Sequence, residues 1–153
     1  MTMRYTEYLR TFVLGLGVIS SWSALAVQFQ TFLGEYGTLL HGSTSLAANP
    51  LLTPCLYGSL AFLVALFWSA MLIVHPSGRS EVWLQRLLIF GIVFAAVVTT
   101  YDCAEYLGIF RVGVPIVCSP GQNPLYGACF RGLIFFALAY GAGVWQMRTR
   151  PAA

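Results

Sequence analysis

The sequence predicts an all-α integral membrane protein. Four transmembrane helices are built from two tandem, parallel helical-hairpin repeats, related by a pseudo-two-fold axis along the membrane normal. Three observations predict it. Hydrophobic residues make up 58% of the 153-residue chain and charged residues 8%, against roughly 25% charged in a soluble domain. Apolar runs fall near 11–33, 51–74, 83–104 and 125–146. Each has about 20 residues or more, enough to cross a hydrocarbon core of roughly 30 Å. The third observation is a recurrence. Asn49, Pro50, Leu51, Cys55, Gly58 and Phe62 reappear without a gap as Asn123, Pro124, Leu125, Cys129, Gly132 and Phe136, at an offset of 74.

Inside lipid every backbone polar group needs an internal partner, so each apolar run reads as a helix. The first run follows Arg4 and Arg10, and Ala24-Leu25-Ala26 resembles a secretory cleavage site. The run continues to Leu33, however, and has a counterpart in the second half, so it reads as the first transmembrane helix. The second and fourth helices are expected to start alike. Asn49 and Asn123 suit the N-cap, and Pro50 and Pro124 suit the first helical position. On that reading Cys55 and Cys129 lie about 9 Å into their helices. The turn His75-Pro76-Ser77-Gly78-Arg79-Ser80 is short and rich in helix breakers, so it joins antiparallel neighbours. The third helix echoes the first: Arg10 and Gly15 align with Arg86 and Gly91 at an offset of 76. Glycines at 15, 17, 58, 91 and 132 offer small faces for close helix approach. The chain is then one four-helix domain over 1–153, with repeat 1 at about 8–74 and repeat 2 at about 82–148.

Arginine sets the orientation. Arg4, Arg10, Arg79, Arg86, Arg148 and Arg150 fall on the N-terminus, the 75–82 turn or the C-terminus, and only Arg111 and Arg131 fall on the other side. The positive-inside rule places both termini in the cytoplasm of a bacterial cell, in its inner membrane, and the connections 34–50 and 105–124 outside.

All four cysteines, Cys55, Cys103, Cys118 and Cys129, then face the oxidising outer side. Cys118 can staple the second outer loop to Cys103 or to Cys129, and a Cys55–Cys129 bond would tie the repeats together. Cys55 and Cys129 lie in apolar stretches that disfavour the thiolate. Four spans with outward cysteines resemble, in topology alone, the bacterial disulfide-bond oxidases and the vitamin K epoxide reductases. That resemblance implies electron transfer from a cysteine pair to a quinone held in the bundle. The Cys-x-x-Cys signature of those proteins is absent here, and the first outer loop has no cysteine.

A second constellation is ionic. Arg131 lies two residues beyond Cys129, and a guanidinium at that depth must pair or snorkel. Asp102 and Glu105, three apart on the third helix, and Glu35 at the end of the first are its candidate partners. The same outer-rim cluster is the candidate pocket for an ion, a quinone head group or a small solute. No residue spacing matches a metal motif, so no metal is expected. There is no phosphate-binding loop and no nucleic-acid signal.

The reading the sequence favours is a non-catalytic accessory or scaffold subunit of a larger membrane complex, with no cofactor. Its partners are the bilayer and either another membrane protein or further copies of itself. The alternative is a quinone-linked thiol–disulfide oxidoreductase. A second alternative is an oligomeric small-solute or ion transporter, against which the apolar midplane weighs.

Overall fold

Apolar side chains recur around the whole circumference of each run, and such runs form helices that present apolar groups on every side. A computed structural model describes residues 2–40, 49–109 and 123–149. It contains four long helices, α1 (Thr2–Tyr36), α2 (Pro54–Val74), α3 (Gly78–Tyr106) and α4 (Ala128–Thr149), with a single 3-10 turn at Pro124–Tyr126 before α4. All four are long and apolar enough to cross a membrane. At 35 residues α1 is about 52 Å long, well beyond the thickness of a hydrocarbon core. Arg111, Cys118 and Arg150 lie outside the described residues.

The helices form an antiparallel square. α1 packs against α2 and α4, α3 packs against the same two, and the backbones of α1 and α3 stay apart across the diagonal. Both described chain ends and the α2–α3 turn lie at one end, called here the termini end. The two long connections lie at the other, the loop end. Outward faces carry exposed apolar side chains such as Ile19, Phe67, Val97 and Leu138.

Two aromatic rings fill the centre. Phe62 of α2 and Phe136 of α4 stack at 3.9 Å between centroids across the second diagonal. Each ring lies on a glycine. A Cβ at Gly17 would come 2.5 Å from the Phe62 ring, and one at Gly91 would come 2.8 Å from the Phe136 ring. Gly15 and Gly58 face open space, so their small size serves no close approach within this chain. Leu14, Ala65, Leu88 and Ala139 close the core around the stacked pair.

Helix ends follow local chemistry. Gly37, at φ 68°, ends α1 with its N–H donating to Leu33 O at 2.8 Å. Gly108, at φ 72°, ends α3 in a Schellman pattern: Gly108 N–H donates to Glu105 O and Ile109 N–H to Ala104 O.

The helix starts correct the sequence reading. Asn49 and Asn123 do not cap α2 and α4. Asn49 Oδ1 accepts from Leu51 N–H at 2.9 Å and Asn123 Oδ1 from Leu125 N–H at 3.0 Å, each closing a separate turn ahead of its helix. Thr53 is extended because Pro54 follows it, and a residue before proline is disfavoured in the helical region. Gly127 is likewise extended before α4. Cys55 and Cys129 therefore occupy the second positions of α2 and α4, at the loop end, and not a further 9 Å inside.

Candidate functional site

Two polar assemblies interrupt the apolar bundle. The first is at the loop end and is built around the helix starts. Because Cys55 and Cys129 occupy the same position on diagonal helices, both side chains turn towards the bundle axis. Their sulfurs lie 3.8 Å apart, a contact distance, against about 2.05 Å for a bond. Cys55 is buried and Cys129 half-buried. A small space of about 30 Å³ beneath them separates the sulfurs from the Phe62–Phe136 stack.

α3 supplies the polar wall. Thr99, Asp102 and Glu105 repeat every three residues along one face, and Thr99 Oγ1, Asp102 Oδ1 and Glu105 Oε2 are each buried without a hydrogen-bond partner among the described residues. Asp102 is close enough to Cys129 to act on it electrostatically, and Glu105 acts likewise on Asp102. A groove of about 160 Å³ opens beside them, lined by Pro54, Val97, Val98, Tyr101 and Asp102. One wall of the groove thus carries the residue next to Cys55, and the other carries the aspartate.

The predicted ionic cluster takes a different form. Asp102 and Glu105 share a face as expected, but Arg131 is exposed on α4 and Glu35 is exposed near the end of α1. Among the described residues no ion pair joins Arg131 to Asp102, Glu105 or Glu35, and the one ion pair is elsewhere. Three residues separate Arg131 from the start of α4, so its side chain has the reach to leave the bundle for the interface. Cys103 is a free, half-buried thiol. Among the described residues no group of three or more His, Cys, Asp or Glu is arranged to hold a metal.

The second assembly, at the termini end, is the one sequence reasoning missed. Arg10 of α1 is 0% exposed and pairs with Glu81 of α3, which is 4% exposed. The pair spans the diagonal that the helix backbones leave open. Arg10 Nε also donates to Ser69 Oγ at 3.1 Å, and Ser69 shares a hydrogen bond with Thr11 Oγ1 at 2.8 Å. Gln85 Nε2 donates to Glu81 Oε1 at 3.3 Å, and Gln146 Nε2 donates to Glu7 Oε1 at 2.7 Å. All four helices contribute. Gly143 makes room, since a Cβ there would collide with the Gln85 amide. Glu7 and Glu81 stand at the repeat offset of 74, the signal that could have marked the assembly.

No protein-family profile matches this chain, and neither the curated proteins nor the solved structures contain a significant match.

Proposed function

We propose that this chain is a multi-pass membrane thiol–disulfide oxidoreductase whose working sulfurs are Cys55 and Cys129. The observation that carries it is their 3.8 Å contact at the head of two diagonal helices. Sequence alone favours the accessory-subunit reading because no Cys-x-x-Cys motif is present. Tertiary pairing of two cysteines from different halves supplies what that motif supplies locally, two sulfurs within reach of each other.

In this reading the disulfide that Cys55 carries is the bond that is exchanged. The Cys129 thiolate attacks it. A Cys129–Cys55 bond forms, the earlier S–S bond breaks, and the displaced cysteine leaves as a thiolate that takes up one proton. When the Cys55–Cys129 dithiol is instead oxidised, it gives up two electrons and two protons. A quinone is the acceptor that the sequence resemblance implies, and it supplies two-electron chemistry in the apolar phase. The residues present fit such a group. A cavity of about 150 Å³ admits a single six-membered ring, the groove beside Cys55 has a similar volume, and its lining is apolar but for Tyr101 and Asp102.

In this reading the chain sits in a bacterial cytoplasmic membrane with the termini end inside. An impermeant thiol reagent added to intact spheroplasts then labels a Thr38→Cys variant and spares Ser77→Cys, on a background without the native cysteines. The reverse pattern contradicts the orientation. We also read the chain as a tandem duplication about an axis along the membrane normal. Three features support it: the Gly17–Phe62 and Gly91–Phe136 contacts, the Asn49 and Asn123 turns, and the meeting of Cys55 with Cys129. They favour an offset of 74 for all four helices over 76 for α1 and α3.

Thiol trapping at controlled potentials tests the function. The Cys55–Cys129 pair is expected to titrate reversibly between about −120 and −270 mV, the range of exchange enzymes, and to be reoxidised rapidly by added quinone. A pair that never titrates in that window, with Cys→Ser changes altering stability alone, returns the accessory-subunit reading.

A further inference from the structure

Thiol chemistry at Cys129 needs somewhere for the proton to go. A thiol in apolar surroundings is a poor nucleophile until it loses that proton. General-base help requires an acceptor in direct reach or one water away. α3, which carries neither sulfur of the pair, brings the Asp102 carboxylate within electrostatic range of Cys129, on the wall of the groove that Pro54 also lines. α3 turns three polar atoms inward, Thr99 Oγ1, Asp102 Oδ1 and Glu105 Oε2, and each is buried without a hydrogen-bond partner among the described residues. A buried acceptor left unsatisfied is costly, and these three share one face beside the cysteine pair. Thr99 is only 8% exposed. The stripe runs from Thr99 towards the end of α3 at Tyr106, at the loop end.

We propose that Asp102 is the proton acceptor for Cys129, and that Glu105, one turn nearer the end of α3, passes the proton outward. This rests on the thiol–disulfide reading above. As Cys129 attacks the Cys55 disulfide, its S–H bond breaks, the proton goes to an Asp102 carboxylate oxygen, and the electron pair stays on sulfur to form the new S–S bond. The carboxyl then transfers the proton to Glu105 and on to the loop-end surface. The titratable groups that act on Asp102 or feel its charge are Glu105 on its own helix and Cys129 at the start of α4. Arg131 of α4 is exposed, and it forms no ion pair with Asp102. No cation among the described residues neutralises the aspartate through an ion pair, which leaves its charge available to draw the proton.

Proton acceptance and simple charge predict opposite signs. A carboxylate acting only as a charge opposes the thiolate, so Asp102→Asn would speed the exchange. A carboxylate acting as acceptor is lost in the same variant, and the exchange slows. The reduced full-length chain in detergent is given a water-soluble aromatic disulfide, which caps Cys55. Capping releases one equivalent of the coloured aromatic thiol and attack by Cys129 releases a second; the second phase gives the rate, and acid-quenched mass spectrometry identifies the Cys55–Cys129 bond.

At about pH 6 the Asp102→Asn variant is expected to react about a hundredfold more slowly than the native chain. The gap between the two rates should narrow as the pH rises and the thiol ionises without help. Asp102→Glu should restore most of the rate, and thermal stability should be unchanged in the variant that reacts slowly. An unchanged or faster rate in Asp102→Asn overturns this proposal and leaves the exchange reading standing. Failure of the native chain to form any Cys55–Cys129 bond overturns both.

Discussion

Replacing Arg10 with alanine is expected to destabilise the folded chain by about 3–5 kcal/mol, the usual cost of leaving one charge of a buried pair behind. Glu81 would keep its carboxylate in a site that is 4% exposed, and Ser69 would lose the guanidinium donor. The pair also crosses the α1–α3 diagonal, where no backbone contact takes over. Thermal unfolding in detergent checks this. Arg131→Ala serves as the comparison, because Arg131 is exposed and should change the midpoint little. The double change Arg10→Met with Glu81→Leu should recover much of the loss, since apolar replacement of a whole buried pair is often neutral. A single Arg10→Ala variant as stable as the native chain would mean that the charge escapes to the interface.

The second large effect is chemical. Cys129→Ser is expected to abolish exchange with the Cys55 disulfide and quinone-linked reoxidation, by at least about a hundredfold, while the helical fold persists. A hydroxyl is a far weaker nucleophile than a thiolate and cannot form the S–S bond at all. Cys103→Ser should keep its activity, because Cys103 is a free thiol outside the 3.8 Å contact. Oxidation state is read by thiol trapping, and fold by circular dichroism on the same preparation. Equal loss in both variants would remove the special status of the Cys55–Cys129 contact.

The helices were legible because their cause is compositional. Long apolar runs in Phe, Leu, Val and Ala leave the backbone no other partner in lipid. The repeat at Asn49 and Asn123 marked the two helix starts to within a turn, and it missed the true starts because Pro54 and Gly127 hold the preceding backbone extended. Cys55 and Cys129 were legible as equivalent positions, but their meeting was not. Contact between them depends on how closely α2 and α4 approach across the diagonal, where Phe62 and Phe136 stack and rest on Gly17 and Gly91. The termini-end assembly was obscured by a correct rule applied too widely. Arginines near helix ends usually report topology, so Arg10 was counted with Arg4 and Arg86. Aligning Arg10 with Arg86 at an offset of 76 favoured the same reading. At 74 its counterpart is Leu84, and both residues are 0% exposed. The outer-rim cluster was half legible: Asp102 and Glu105 face inward together, whereas the Arg131 side chain lies exposed.

The central claim is that Cys55 and Cys129 exchange one disulfide bond during turnover. Its most direct test is to map disulfides in the native chain, in membranes, after a brief pulse of oxidised quinone followed by acid quench. Mass spectrometry of the cleaved chain should show a Cys55–Cys129 peptide pair that rises within the pulse and disappears on reduction. A map in which the two residues never share a bond, whatever the oxidant or time point, would contradict the account.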